Sequence, residues 1–280
     1  MSFALEQVER EVMRLRLRSW QGRLAGYEVS AYVLRGVLVD TGFVRVAAEL
    51  TAALDELRPR GAVVTHWHED HAGNVPLLAA RGLPLRLHAS CEAILRSRPP
   101  IGLYRHIVWG QTPALAAPIR DLDPSPLEVL SLPGHSDDHL VVWDAERGIL
   151  ASGDLFLGVK VRVAHRSESP RRLLQSLRVA AALEPRLLLD AHRGPVRDAT
   201  AKLRAKAAWL DETIDAIAGR AARGERPRSI ARRVLGRERS VGYVSAGEYS
   251  KLAFVQAVLR ESSTTARPPS VRTSTAPSDR

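Results

Sequence analysis

Four residues able to bind a metal crowd together in the stretch Thr65-His66-Trp67-His68-Glu69-Asp70-His71, directly after the apolar run Gly61-Ala62-Val63-Val64. On an extended backbone alternate side chains share a face, so His66, His68 and Asp70 converge while Trp67 and Glu69 point away. His71 breaks that alternation, and the small residues Ala72, Gly73 and Asn74 let the chain bend so that Asp70 and His71 serve a neighbouring point. The pattern predicts two adjacent metal points. Imidazole and carboxylate are ligands for zinc, iron or manganese and need no thiolate, so the chemistry implied is metal-assisted. An isolated histidine is more often a solvated turn residue; four such groups at one strand end argue against that reading here.

Three further residues stand where a ligand would be presented. His135 follows Leu132-Pro133-Gly134, and Gly134 permits close backbone approach, which makes His135 a third imidazole for the first point. His139 reads as a hydrogen-bonding partner within the same loop. Asp154 stands alone among small and apolar residues, where an unpaired carboxylate is costly to bury and a metal removes the cost, so it is a candidate bridging ligand. His192 follows the run Arg186-Leu187-Leu188-Leu189-Asp190 and completes the second point. Asp40, at the end of Val37-Leu38-Val39, reads first as a turn former, with orientation of a ligand histidine as the alternative.

The elements that must position these groups follow from the apolar patterning. Residues 12–19 and 27–34 alternate as strands, and Val37-Leu38-Val39 closes a meander. Apolar residues from Val44 to Leu57 recur at helical spacing and stop at Pro59. Short strands at 62–64 and 85–88 alternate with helices at 74–80 and 90–96, the latter capped by Ser90, which argues for α/β layering. Between Pro99 and Pro126 prolines interrupt the pattern, as in a lid or substrate loop; Tyr104, His106 and Trp109 lie within it as pocket-lining or packed aromatics. Strands are expected at 127–130, 140–143, 148–151 and 186–190. Helices are expected at 199–220, 229–235 and 245–260, and the Ser-, Thr-, Pro- and Arg-rich chain from Ser262 is expected to be disordered.

Composition bounds the setting. At 280 residues the chain suits one large domain with an appendage. A single cysteine, Cys91, admits no internal disulfide and suits a reducing cytoplasm, and the N-terminus has no secretory pattern. No run approaches membrane-spanning length. The net charge is +10, and Val196 to Arg280 carries 17 Arg plus Lys against 9 Asp plus Glu, so most of the excess lies in the last third. Such an excess attracts nucleic acid or an anionic substrate; an arginine-rich, alanine-rich chain also acquires one from genome composition alone.

With His66, His68, Asp70, His71, His135, Asp154 and His192 in these contexts, the chain resembles the metallo-β-lactamase-fold hydrolase superfamily from about Val12 to Val196. The resemblance implies an αββα sandwich in residues 1–198 and a small C-terminal helical or winged-helix-like appendage in 199–261, followed by the tail 262–280. It implies His66, His68 and His135 on one metal, Asp70, His71 and His192 on the other, and Asp154 bridging both. It implies two divalent ions, zinc first and iron or manganese as alternatives, sharing a hydroxide that Asp70 orients and whose proton it helps to shuttle.

Departures narrow the expected reaction. Antibiotic-hydrolysing members lack the bridging acid or carry cysteine at the second site, whereas Asp154 is present here and Cys91 lies elsewhere. All seven ligands match glyoxalase II-like thioesterases, while Asp137-Asp138-His139 resembles a branch that includes RNA-cleaving members. The expectation is hydrolysis of a carbonyl ester, thioester or lactone, with a phosphodiesterase acting on single-stranded RNA as the alternative. An anionic small molecule would meet Asp138, His165 and Arg193, with Lys160 and Arg162 beside them. The appendage would cover the site or support a homodimer.

Overall fold

The computed structural model describes residues 2–18, 20 and 28–265. The first sheet takes its strands in chain order: β1 (Ser2–Glu9), β2 (Val12–Arg18), β3 (Val29–Leu34), β4 (Val37–Val39), β5 (Gly61–Val63) and β6 (Leu85–Arg86). The meander β1 to β4 is antiparallel, and β5 and β6 join in parallel after helical crossovers. The second sheet is built from β7 (Glu128–Ser131), β8 (Leu140–Asp144) and β9 (Ile149–Gly153). After the two-residue β10 (Ala164–His165), β11 (Leu187–Asp190) and β12 (Gly194–Arg197) complete it in the order β12-β11-β9-β8-β7.

Strand alternation sorts the apolar side chains into three layers. Val37 and Val39 of β4, Ile149 and Ala151 of β9, and Leu187 and Leu189 of β11 pack between the sheets. Leu38 faces outward onto helix Ala47–Leu57 through Leu50 and Leu54, with Leu78 and Leu95 in the same layer. Leu150 and Leu188 face the opposite way, onto Leu174 and Leu177 of helix Pro170–Ala182 and Leu203 and Leu210 of helix Ala199–Ala222. Helix, sheet, sheet and helix are thus stacked as an αββα sandwich, and strands buried on both faces read as continuous apolar runs.

Several local expectations shift. Strand β1 pairs at the sheet edge although its sequence gave no separate signal. Strand β12 contains Pro195, which an edge strand tolerates because its amide is not needed. Helix Ala89–Ser97 is capped not by Ser90 but by the His88 side chain, which accepts from Ser90 N at 3.2 Å. The proline-rich stretch holds a helix, Leu103–Val108. The helix expected from Ser245 begins at Lys251 and runs to Thr265, because Ala246 (φ 50°) and Gly247 (φ 81°) adopt left-handed backbone. Before it come helix Ser240–Val244 and β13 (Tyr249–Ser250), which pairs with β10. Helix to residue 265 replaces the start of the expected disordered tail; residues 266–280 lie outside those described.

Candidate functional site

The loop after β5 is held before its histidines begin. Asp40, with φ 66°, turns its carboxylate back so that Oδ1 accepts from Thr65 N at 2.7 Å and Oδ2 pairs with His71 Nδ1 at 2.7 Å. Turn former and orienting group are therefore the same residue. His66 and His68 lie on the irregular link after β5, which bends at Trp67 and His68, and the short helix Glu69–Ala72 then turns Asp70 and His71 away from them. Thr41 Oγ1 donates to His71 O at 2.8 Å, and Asn74 Nδ2 donates to Thr41 O at 2.8 Å, anchoring the bend.

The remaining groups arrive from the second sheet. Gly134, at φ 139°, lies so close to the helix at Leu173 that a Cβ would fall 2.3 Å from Leu173 N, and this contact places His135. Gly153, at φ 48°, has no room for a Cβ beside Thr65 Oγ1 (2.8 Å) and His139 Nε2 (2.9 Å). His139 Nε2 accepts from Asp154 N at 3.1 Å, so His139 holds the backbone of Asp154 and belongs to neither ligand group.

All seven expected ligands come together in two groups. His66, His68, His135 and Asp154 form one, and Asp70, His71 and His192 the other, with ligand atoms in each within 4.8 Å of one another. Asp70 joins His71, so the alternation that set it with His66 and His68 ends at the helix start. Asp154 faces both groups: Oδ2 is 3.4 Å from His135 Nε2, while Oδ1 is 3.3 Å from His71 Nε2 and 3.4 Å from His192 Nε2. His192 Nε2 is 3.3 Å from Asp70 Oδ2. Ligand atoms about 2.0–2.2 Å from one tetrahedral ion stand roughly 3.3–3.6 Å apart, and the spacings here run on either side of that, from 2.9 Å between His66 Nε2 and His68 Nδ1 to 3.9 Å between His71 Nε2 and Asp70 Oδ2. His71 Nε2 and Asp154 Oδ1 are buried without a well-formed hydrogen bond. Such atoms are costly to bury unless an ion lies between them, so this donor set fits divalent metal.

Electrostatics divide the groups. Burial holds His66 and His68 well below the usual imidazole range and His135 at about 3, leaving three neutral imidazoles. For His71 and His192 burial opposes charge, but Asp154 and Asp70 outweigh it and raise both well above that range. Burial likewise opposes ionisation of Asp70 and Asp154, and the two imidazoles overcome it and lower both carboxyls. Outer partners fix the ring orientations: His192 Nδ1 donates to Glu28 O at 2.9 Å, and Asp190 Oδ1 accepts from His192 N at 2.9 Å.

Both groups open onto a cavity of about 410 Å³ whose walls include Tyr104, Trp109, Lys160, Arg162, Arg193, Arg239 and Tyr249. Arg193, Lys160 and Arg162 thus reach the cavity. Asp138 does not: it is buried behind the metal loop, where Oδ2 accepts from Trp67 N at 2.8 Å. His165 is also set back, paired with Glu248 Oε1 at 3.1 Å and Ser167 Oγ at 2.6 Å. Sequence reasoning missed Arg239 and Tyr249, which arrive by the β10–β13 pairing, and the buried pair of Glu69 and Arg105. It also missed Lys206, whose Nζ donates to Leu155 O at 2.9 Å and to Phe156 O just after Asp154. A charged residue at an inward helical position was the available signal for Lys206.

Comparison with known proteins places this geometry. The model of the metallo-beta-lactamase superfamily matches residues 25–214. The lactamase-like protein nscB of Trichophyton rubrum is 32% identical over 141 residues, 50% of this chain and 39% of that protein. An atrochrysone carboxyl ACP thioesterase of Claviceps purpurea is 29% identical over 162 residues, 55% of this chain and 48% of that protein. The chain therefore spans less than half the length of these curated relatives. Among solved structures, a metallo-beta-lactamase family protein from Thermus thermophilus covers 92% of this chain and 95% of its own, with a TM-score of 0.65 at 20% identity. A Pseudomonas aeruginosa metallo-beta-lactamase in mono-zinc form covers 76% and 96%, with a TM-score of 0.58 at 18% identity. The structural likeness carries the fold, and since the family match extends over more than half of the sequence, the chain belongs to the metallo-beta-lactamase superfamily.

Proposed function

We propose that the protein is a dinuclear metal-dependent hydrolase of a carbonyl thioester, ester or lactone. The observation that carries this reading is Asp154, whose two oxygens face different imidazole groups at the floor of one open cavity. In the proposal His66, His68 and His135 hold one ion, Asp70, His71 and His192 the other, and Asp154 both; zinc is the proposed metal, with iron or manganese as alternatives. Two such ions supply a nucleophile from water near neutral pH and polarise the carbonyl under attack.

The chain's own groups supply the rest. The Asp70 carboxylate, at the cavity surface, orients the attacking water and takes up its proton. Asp40 and the Glu28 carbonyl hold His71 and His192 so that Nε2 of each faces inward. His139 fixes the backbone amide of Asp154. Tyr104 and Trp109 form an apolar wall that shields an acyl group from water. The thioester is favoured among carbonyl substrates because relatives in Claviceps purpurea and Aspergillus fumigatus are named as ACP thioesterases. A reducing, cytoplasmic setting belongs to the proposal, supported by one buried free cysteine, Cys91. No helix among the described residues is long and apolar enough to cross a membrane.

A second reading is cleavage of single-stranded RNA. It is favoured by a groove of about 580 Å³ lined by Arg228, Arg232, Arg237 and the exposed Tyr243, within the proposed C-terminal appendage. Metal analysis with a panel of acyl thioesters, lactones, phosphodiesters and single-stranded RNA tests both. Two metals per chain and thioester turnover that disappears in Asp154→Ala support the first reading. Salt-sensitive RNA cleavage with no acyl turnover overturns it.

A further inference from the structure

We infer that the outer wall of the cavity is a phosphate subsite, which reads the thiol half of a thioester substrate through Lys160, Arg162, Arg193 and Arg239. The inference rests on the thioester reading and adds which end of the substrate is recognised and by what. All four side chains are exposed and line the same cavity as the ligand groups. Among the described residues none of the four is in an ion pair. The contrast with the neighbouring acid is informative: Glu28, also on the wall, is already engaged by Arg14, Arg16 and Arg18. Of the other acids on the wall, burial raises Glu168 to about 8, and Asp70 and Asp154 face His192, so none of the described acids pairs with the four cations.

Three separate segments deliver these cations. Lys160 and Arg162 lie on the loop between Asp154 and β10. Arg193 follows His192, and its Nε donates to Leu157 O at 3.0 Å, which lays its guanidinium against Gly158 and fixes it before any ligand arrives. Arg239 is brought in by the antiparallel pairing of His165 with Tyr249 and Ala164 with Ser250, and it stands at the start of helix Ser240–Val244. Four cations from three segments on one cavity match an anion with several acceptor oxygens, and the guanidinium fork suits phosphate oxygens. A lone carboxylate would use only part of such a set. Tyr104 and Trp109, which line the same cavity, are left for the acyl group.

Free coenzyme A and the phosphopantetheine arm of a carrier protein both place phosphate oxygens at the 4′ end of pantetheine, as a diphosphate in the first and as a singly charged phosphodiester in the second. The test uses the metal-loaded full chain and non-hydrolysable S-alkyl analogues of pantetheine, 4′-phosphopantetheine and coenzyme A, with binding followed by calorimetry at low and high salt. The phosphorylated analogues are expected to bind roughly tenfold or more tightly than S-alkyl pantetheine, with the difference shrinking as salt rises. In the double variant Arg162→Gln with Arg239→Gln that preference is expected to collapse towards one. A second double variant, Lys160→Gln with Arg193→Gln, gives an independent check. Equal affinity for pantetheine and phosphopantetheine analogues in the unaltered protein overturns the inference, as does a preference that survives both variants. Thioester hydrolysis without any phosphate preference removes the subsite and leaves the hydrolase reading intact. Phosphate preference without thioester turnover does the reverse. Turnover of acyl-coenzyme A against the same acyl group on a carrier protein then separates the two sources, and either one supports the subsite.

Discussion

Replacing Arg105 with methionine is expected to destabilise the fold by about 3–5 kcal/mol, the usual cost of stranding one member of a buried ion pair. Arg105 and Glu69 are 4% and 3% exposed at their side chains and meet in a fork, with Nε to Oε2 at 2.9 Å and Nη2 to Oε1 at 2.8 Å. The guanidinium also covers the Trp67 ring at 4.7 Å. Removing it leaves the Glu69 carboxylate without its counter-charge between His68 and Asp70, so the short helix carrying Asp70 and His71 loses its tether to helix Leu103–Val108. With roughly 2–4 °C of melting temperature per kcal/mol in a chain of this size, the midpoint should fall by about 6–20 °C. Urea unfolding at low and high salt is the assay, because a buried pair is screened far less than a surface one. The double variant Glu69→Met with Arg105→Met should recover part of the loss, since Glu69 is then no longer stranded while Glu248, 3.8 Å from Arg105 Nη1, keeps its charge. A loss below about 1 kcal/mol, or a double variant no more stable than the singles, would refute the reasoning.

Other outcomes follow from the same geometry. Asp40→Asn weakens the acceptor that holds both His71 and the Thr65 amide, and metal affinity measured by chelator competition should fall by roughly 10–100-fold; unchanged affinity counts against Asp40 as the orienting group. Lys206 is almost fully buried, and burial lowers its ammonium from 10.5 to about 8. Between those values the unfolded chain keeps a proton that the folded chain has released. Stability of the unaltered protein should therefore rise relative to Lys206→Met from pH 8 to 10.5, by up to about 3 kcal/mol, and parallel pH profiles would contradict this. Gly153→Ala forces a side chain at φ 48° against Thr65 and His139, and a loss of about 1–3 kcal/mol in denaturant titrations is expected; a neutral result would mean that the strand end beside Asp154 is free to move.

Much of the site is visible along the chain because each ligand sits in a local context that means the same thing wherever it is folded. His66, His68, His135, Asp154 and His192 each follow an apolar run or a glycine, and such points are where a sheet presents side chains at its edge. The positions that misled are those whose local context is silent about direction. Asp138 lies in a loop beside two histidines, yet its carboxylate is taken by the Trp67 amide on the far side of the metal loop. His165 precedes a turn like any exposed histidine, but Glu248, from the other end of the chain, claims it.

What the sequence by itself determined was an α/β chain with side chains able to bind metal at two adjacent points, because strand alternation, helix spacing and turn residues are short-range properties; the αββα sandwich and the division of the ligands came from the resemblance to metallo-β-lactamase-fold hydrolases. What only the tertiary structure decided was which residues surround them. Asp40 reaches His71 because β4 pairs in parallel with β5, and Arg239 and Tyr249 reach the cavity because β13 pairs with β10. Glu69 finds Arg105 because the proline-rich stretch folds a helix over the metal loop. Each of these depends on a pairing between segments far apart in the chain, and no local pattern encodes a partner's position when the attraction between them arises only once both are buried together.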